Sequence, residues 1–177
     1  MRDAPILYIF RRCPYAMRAR LAILSSGITV ELREILLRDK APEFLETSPS
    51  GTVPCLKIYK KVVDESLHIM AWAVAQNDPE NWMQMPTEGY ELMALCDGPF
   101  KHSLDRTKYG SRYPNEDTAE HRHNASKFLM SLNDQLSPNL FGADPKLADM
   151  AILPFVRQFA HIDQDWFYAQ PWPKLIA

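Results

Sequence analysis

Residues 6–15 have the sequence ILYIFRRCPY, in which a short apolar run is followed by two arginines, a cysteine and a proline. A continuous apolar run of this length predicts a strand that is covered on both faces. Proline is typical of the first position of a helix, so Pro14 places Cys13 at a helix N-terminus. The segment therefore predicts a strand that leads through Cys13 into a helix over 14–26, which ends at Gly27.

The chain continues to alternate strand and helix patterns up to about residue 76. Ile28, Val30 and Leu32 alternate with polar residues, which predicts a half-buried strand. Further elements are predicted in order as a short helix over 41–47, paired strands at 53–59 and 62–63, and a helix over 66–76. The order β-α-β-α-β-β-α predicts one mixed sheet covered by helices. In the first helix we expect the buried face to be lined by Met17, Leu21 and Leu24.

Strand patterns disappear in the second half of the chain. Residues 78–86 contain two prolines and no periodicity, and we interpret them as a linker. Helices are predicted over 87–109, with an interruption at Gly98-Pro99, and over 116–136. A third is predicted to run to about residue 160, with Asp144 as N-cap and Pro145 as first residue. Another helix begins near residue 172, so we expect the C-terminus to be truncated.

Composition limits the classes of function. The 177 residues include 46% hydrophobic residues and carry a formal net charge of −2, without the basic surplus that nucleic-acid binding favours. Apolar runs stay far below the roughly 18 residues of a membrane span, and the first is shorter than a signal-peptide core of about 7–15 residues. We therefore expect a cytoplasmic protein that binds neither membrane nor nucleic acid. The histidines have no spacing that completes a metal site, so no metal is expected.

Cys13 is the first candidate for chemistry. The free N–H groups and the positive dipole end of a helix favour a thiolate over a thiol, which would lower the pKa of Cys13. Arg11 and Arg12 are expected to add positive charge. The competing interpretation is a small buried cysteine near a helix end.

Two further motifs precede predicted elements of the same domain. In Thr52-Val53-Pro54, the Val53–Pro54 bond is a candidate for the cis form, which would turn the backbone of Val53 toward a peptide-like ligand. The competing interpretation is an edge strand that begins at a trans proline. Before the last helix, Ser66 can cap and bind an anion, and Glu65 can accept from an ammonium group. The competing interpretation there is an ordinary capped helix.

Together these segments resemble the glutathione transferase family. Residues 6–73 are similar to its thioredoxin-like N-terminal domain, and residues 13–20, CPYAMRAR, resemble most the omega class and related bacterial members that use a cysteine. Residues 146–151, KLADMA, followed by Pro154-Phe155, resemble the family's all-helical second domain. The resemblance implies a thioredoxin-like domain over 1–77, followed after the linker by an all-helical domain over 87–177.

The resemblance also implies roles for individual residues. Cys13 matches the catalytic cysteine, which attacks glutathionyl or disulfide substrates. The resemblance implies that glutathione is the cosubstrate. The residues at positions that match the family's glutathione-binding residues are Tyr15, Lys40, Val53, Pro54, Glu65 and Ser66. The implied function is a glutathione-dependent thiol transferase or reductase that acts on a small electrophilic or disulfide substrate. The resemblance further implies a homodimer.

The sequence departs from the family pattern at two points. Lys146 stands where the helical domain usually has Ser or Thr, so Asp144 is expected to take over as cap. The motif at Cys13 lacks a second cysteine, and Cys55 is the remaining nearby thiol, although strand alternation favours a core position for it.

Alternative functions stay open from the sequence. One is a non-catalytic binding protein on the same fold, of the stringent-starvation regulator type, which retention of Cys13 disfavours. Another is a soluble form of a membrane-inserting, chloride-channel-like protein, which the lack of a long apolar stretch disfavours. The basic run between Lys101 and Arg112 is either a solvated helix end or the mouth of the pocket for the second substrate.

Overall fold

A computed structural model describes residues 4–177, so the first three residues of the predicted N-terminal domain lie outside the described residues. The chain divides into two compact units between Asn81 and Trp82, a position within the predicted linker. Among the described residues, no helix is both long and apolar enough to cross a membrane.

The first unit contains a four-stranded mixed sheet and three helices. In chain order they are β1 Ile6–Ile9, α1 Pro14–Ser25, β2 Glu31–Glu34, α2 Pro42–Thr47, β3 Cys55–Ile58, β4 Lys61–Val63 and α3 Ser66–Gln76. The strand order is β2-β1-β3-β4, with β1 parallel to β2 and antiparallel to β3. Strands β3 and β4 form an antiparallel hairpin. The predicted order of elements and the mixed sheet are confirmed.

The buried face of α1 is not the predicted one. Leu24 is 78% exposed, whereas the helix buries Ala16, Ala19, Ala22 and Ile23. Small alanines let α1 approach α3, with which it packs, and large leucines would hold the two helices apart. The spacing of the large apolar residues therefore predicts the wrong face of α1, because the face that is buried is lined mainly by alanines.

Strand β2 is shorter and more exposed than predicted. It begins at Glu31, after Ile28 and Val30, and Leu32 is 52% exposed. The reason is topological, because β2 is an edge strand of the sheet. Tyr8 of β1 packs with Ile35, Phe44 and Cys55 in a buried cluster.

The second unit is helical. Helix α4 covers Thr87–Leu95, α5 Lys101–Lys108, α6 Thr118–Gln135, α7 Leu147–Ala160, α8 Gln164–Tyr168 and α9 Pro173–Ile176. A π-helical segment, Cys96–Phe100, joins α4 to α5 and contains Pro99, which confirms the predicted interruption. Helix α8 was not predicted from the sequence, and neither was the cis bond between Ser137 and Pro138.

The start of α7 corrects a prediction. The N-cap position is held by Lys146 rather than Asp144, and the helix begins at Leu147. Asp149, in the first turn, accepts hydrogen bonds from the backbone N–H groups of Lys146 and Leu140, each at 2.8 Å. A carboxylate that reaches back from the third helical position satisfies the N-terminal donors, so the Asp-Pro pair is not needed as the cap.

Candidate active site

Cys13 occupies the predicted position between β1 and α1. It is the N-cap residue of α1, with extended backbone angles of φ −76° and ψ 121°, and Pro14 follows as first helical residue. Its backbone N–H donates to the carbonyl of Phe10 at 2.9 Å, and its own carbonyl accepts from Met17 at 2.9 Å. The side chain is partly exposed. The thiol thus lies at the positive end of a twelve-residue helix.

The second sequence motif meets the first in space. The Val53–Pro54 bond is cis, as predicted. The sulfur of Cys13 lies 3.7 Å from the carbonyl oxygen of Val53, to which the thiol donates. The backbone of Val53 is therefore directed toward Cys13.

The two arginines before Cys13 make other contacts. Arg11 forms a two-pronged ion pair with Glu34, with Nε 3.1 Å from Oε1 and Nη2 2.9 Å from Oε2. The hydrogen bonds that Arg11 donates to the Glu34 carboxylate raise the pKa of Arg11 above its ordinary value. The guanidinium of Arg12 lies over the ring of Phe10, 5.3 Å from its centre. The charge of Arg11 is therefore compensated by Glu34, contrary to its expected role beside the thiol.

Arg18 joins two of the predicted binding residues and was missed from the sequence. It is 3% exposed, and its Nε donates to the Ser66 hydroxyl at 3.0 Å. Its guanidinium also lies over the Tyr15 ring, 5.1 Å from the centre. The spacing in the sequence could have indicated the contact with Tyr15, since Arg18 follows Tyr15 by three residues and so lies on the same face of α1.

The start of α3 differs in detail from the prediction. Glu65, not Ser66, is the N-cap residue, and its side chain makes no capping hydrogen bond. Ser66 is the first helical residue, 2% exposed, and its hydroxyl accepts from Arg18. Glu65 is exposed. The structure thus links Ser66 to Tyr15 through Arg18, and Glu65, which directly precedes Ser66, is on the surface.

Lys40 lies against the loop that leads to Val53. Its Nζ donates to the carbonyl of Gly51 at 2.9 Å. Gly51 has φ +61°, a left-handed conformation that glycine adopts without the steric cost of a side chain. Lys40 and Val53 are thereby connected through the same short segment of backbone.

Cys55 is placed in the core, as strand alternation favoured. It lies on β3 and has no exposed surface. Burial, together with the charge of the neighbouring Asp64 carboxylate, raises its pKa to about 12. The thiol is therefore protonated at neutral pH and is not a nucleophile there.

The basic run of the second unit is engaged in local contacts. Lys101 forms an ion pair with Asp105, and Arg106 binds Glu116 at 2.6 Å. Arg106 also lies over the Tyr113 ring at 4.5 Å from its centre. These contacts hold Lys101 and Arg106 within the second unit, and the two interpretations of the run both remain predictions. Among residues 4–177, no three side chains of His, Cys, Asp or Glu are grouped as metal ligands would be.

A comparison with known families finds a match, which lies almost entirely within the first unit. Residues 7–82 match the family described as glutathione S-transferase, N-terminal domain. Over this range the first unit is similar to the N-terminal domain of glutathione S-transferases. Its thioredoxin-like fold and the helical region after it are confirmed.

Comparisons with individual proteins agree with this similarity. The chain is 37% identical over 73 residues to glutathione S-transferase U22 of Arabidopsis thaliana, a match that covers 41% of this chain and 34% of that protein. The matched part thus spans about a third of the length of this curated relative.

Two solved structures share the fold over almost the whole chain. Glutathione transferase Omega 3C from Trametes versicolor matches with a TM-score of 0.77 and 20% identity, over 98% of this chain and 78% of that chain. A glutathione transferase family member from Pseudomonas fluorescens, with two glutathione molecules bound, matches with a TM-score of 0.80 and 17% identity, over 98% and 85%. At these identities the likeness is one of fold.

Proposed function

We propose that this protein is a glutathione transferase of the cysteine type, related to the omega class and to bacterial members that use a cysteine, and that Cys13 is its nucleophile. One observation carries the proposal, namely the partly exposed thiol at the N-terminus of α1, 3.7 Å from the carbonyl of Val53. The helix N-terminus stabilises the thiolate, which is the reactive form of cysteine. No observation favours a non-catalytic regulator on this fold.

Glutathione is the proposed cosubstrate. The proposal is supported by the family match of the first unit and by the glutathione bound to the Pseudomonas fluorescens relative. From the family resemblance, its cysteinyl backbone is assigned to Val53 next to Pro54, its glycine carboxylate to Lys40, and its γ-glutamyl end to the pair Glu65 and Ser66. Tyr15 is assigned to the side of the bound tripeptide. Except for the exposed Glu65, these residues are linked to Cys13 or to one another by the contacts of Val53, Gly51 and Arg18.

The reaction we propose is thiol–disulfide exchange in two steps. The thiolate of Cys13 attacks the glutathionyl sulfur of a mixed disulfide, a new S–S bond forms, and the substrate leaves as a thiolate that takes up a proton from water. The thiolate of a second glutathione then attacks the glutathionyl sulfur on Cys13. This step releases oxidised glutathione and regenerates the Cys13 thiolate, so that two electrons pass from glutathione to the substrate.

The second substrate, assembly and location are also proposals. We assign a small electrophilic or disulfide substrate, because the nucleophile is a single cysteine without a resolving cysteine in its motif. A homodimer in the cytoplasm is proposed from the family resemblance. Sedimentation at micromolar concentration would show a species near 40 kDa, twice the 20.4 kDa of the chain. A species of about 20 kDa alone would contradict the dimer.

A mass measurement tests the nucleophile directly. The protein is incubated with oxidised glutathione, then digested without reductant, and the peptides are analysed by mass spectrometry. We expect a glutathionyl adduct on Cys13, which added reduced glutathione removes with release of oxidised glutathione. The matched control is Cys13→Ala, which should carry none. An adduct on Cys55 or Cys96 in place of Cys13 would contradict the proposal.

A further inference from the structure

Asp64, which lies two residues before α3, is bonded through both carboxylate oxygens to a loop far from it in sequence. Its Oδ1 accepts from the hydroxyl of Ser48 and its Oδ2 accepts from the backbone N–H of Ser50, each at 2.9 Å. The side chain is half-buried. Hydrogen bonds to an ionised acceptor are stronger than those between neutral groups, so Asp64 is a firm anchor for this loop.

The anchored loop covers residues 48–52 and leads into Val53. Ser50 Oγ accepts from the backbone N–H of Thr52 at 3.0 Å and lies 2.6 Å from the Thr52 hydroxyl. The Ser48 hydroxyl also lies 3.4 Å from the carbonyl of Thr52. The position of Thr52, and with it the backbone of Val53, therefore depends on two serines that Asp64 holds.

Asp64 also lies next to the residues that are proposed to bind the opposite end of glutathione. It directly precedes Glu65 and Ser66, the residues assigned to the γ-glutamyl end, while the loop it holds carries Gly51 and Val53. A single carboxylate thus ties the segment assigned to the cysteinyl part of glutathione to the segment assigned to its glutamyl part.

We propose that Asp64 is a positioning residue for glutathione, which sets the spacing between Val53 and the N-terminus of α3 without touching the reacting sulfur. The inference rests on the proposed function, because it assumes that glutathione occupies this site. It assigns Asp64 a role in glutathione affinity and none in the chemistry at Cys13.

The ionisation of Asp64 agrees with this role. Partial burial acts to raise its pKa, but hydrogen bonds from Ser50, Ser48 and Cys55 outweigh burial and hold the pKa below its ordinary value. Asp64 is therefore a carboxylate at every pH at which the exchange of thiols is fast, and it accepts both loop hydrogen bonds there.

The test separates binding from chemistry. Asp64→Asn keeps the shape and removes the charge, and Ser48→Ala removes one loop donor. The matched control is Glu43→Gln, since Glu43 is a carboxylate of the same unit that is bound to Tyr8 and Arg33 on the surface. For each variant we would measure the Kd of glutathione by calorimetry, KM and kcat with a glutathionyl mixed disulfide, and Tm.

For Asp64→Asn we expect the Kd and the KM of glutathione to rise about tenfold, with kcat within about threefold of wild type. Ser48→Ala should raise the Kd about threefold and add nothing in the Asp64→Asn background, because both changes act through one loop. Glu43→Gln should leave Kd, KM and kcat within about twofold of wild type, as expected for a surface substitution away from the site.

Other results overturn the inference. A Kd for Asp64→Asn within twofold of wild type, a loss confined to kcat, or an equal loss in Glu43→Gln would each contradict a positioning role. If Asp64→Asn does not fold, Ser48→Ala decides alone, and an unchanged Kd at unchanged Tm overturns the inference. A wild-type protein that binds no glutathione overturns the proposed function itself, which distinguishes the two failures.

Discussion

The sulfur of Cys13 lies 3.7 Å from the carbonyl oxygen of Val53, although 40 residues separate them in the chain. The register of the sheet explains the contact. Tyr8 on β1 pairs with Cys55 on the antiparallel strand β3, so the end of β1 and the start of β3 meet at one edge. Strand pairing therefore brings the helix N-terminus with its thiol close to the Val53–Pro54 backbone.

Replacing the nucleophile should separate two activities. In Cys13→Ser we expect glutathione-dependent reduction of a mixed disulfide or of dehydroascorbate to fall at least about a hundredfold, because the attacking sulfur is gone. Conjugation of a chlorinated aromatic electrophile should stay unchanged or rise, because a hydroxyl is a better hydrogen-bond donor to the glutathione thiolate. Both substrates are assayed with both proteins at one glutathione concentration.

A wild-type protein that conjugates strongly and reduces neither substrate would contradict this mechanism. So would a Cys13→Ser variant that keeps both activities.

The three cysteines should differ sharply in reactivity toward iodoacetamide. Cys13 is partly exposed, whereas Cys55 and Cys96 are buried. With its pKa raised to about 12, Cys55 is a thiolate in only about one molecule in ten thousand at pH 8, and its reactivity should rise with pH toward that value. We expect one equivalent of label at pH 8, on Cys13, by peptide mass spectrometry.

The Cys13→Ala variant provides the control and should stay unlabelled in its native state. Denaturation in urea should expose all three thiols of wild type. Labelling of native Cys55 at a rate similar to that of Cys13 would show that its burial and raised pKa are wrong.

The parts of the site that were predictable are those that depend on backbone geometry next to a proline. Pro14 fixed the position of Cys13 at a helix start, and Pro54 marked the cis bond before β3. The roles of Arg18 and Asp64 were missed, because no local sequence pattern records contacts between distant residues. Arg18 binds Ser66, 48 residues away, and Asp64 binds Ser48 and Ser50, 16 and 14 residues away. Arg11 was likewise expected to add positive charge beside Cys13, but it pairs with Glu34 on the neighbouring strand β2.

Lys40 should affect one end of glutathione only. Its Nζ is held at the carbonyl of Gly51, and the proposed function assigns it to the glycine carboxylate. In Lys40→Met we expect the KM of glutathione to rise about tenfold, which corresponds to about 1.4 kcal/mol. The KM of γ-glutamylcysteine, which lacks the glycine, should change less than about twofold, since only uniform binding to that group is lost.

The control for this prediction is Lys61→Met, on the exposed strand β4. It should leave both KM values near wild type. An equal rise in the KM of glutathione and of γ-glutamylcysteine in Lys40→Met would mean that Lys40 acts by holding the loop at Gly51 rather than by binding the glycine carboxylate.

The two aspartates near the start of α7 offer a test of which one caps the helix. Asp149 accepts from the backbone N–H groups of Lys146 and Leu140, so Asp149→Ala leaves two donors without their partner. We expect a loss of about 1–3 kcal/mol in the free energy of unfolding. Asp144 is exposed and lies two residues before the N-cap, so Asp144→Ala should cost less than about 0.5 kcal/mol. Urea unfolding followed by circular dichroism measures both, and a larger loss in Asp144→Ala than in Asp149→Ala would restore the Asp-Pro pair as the helix start.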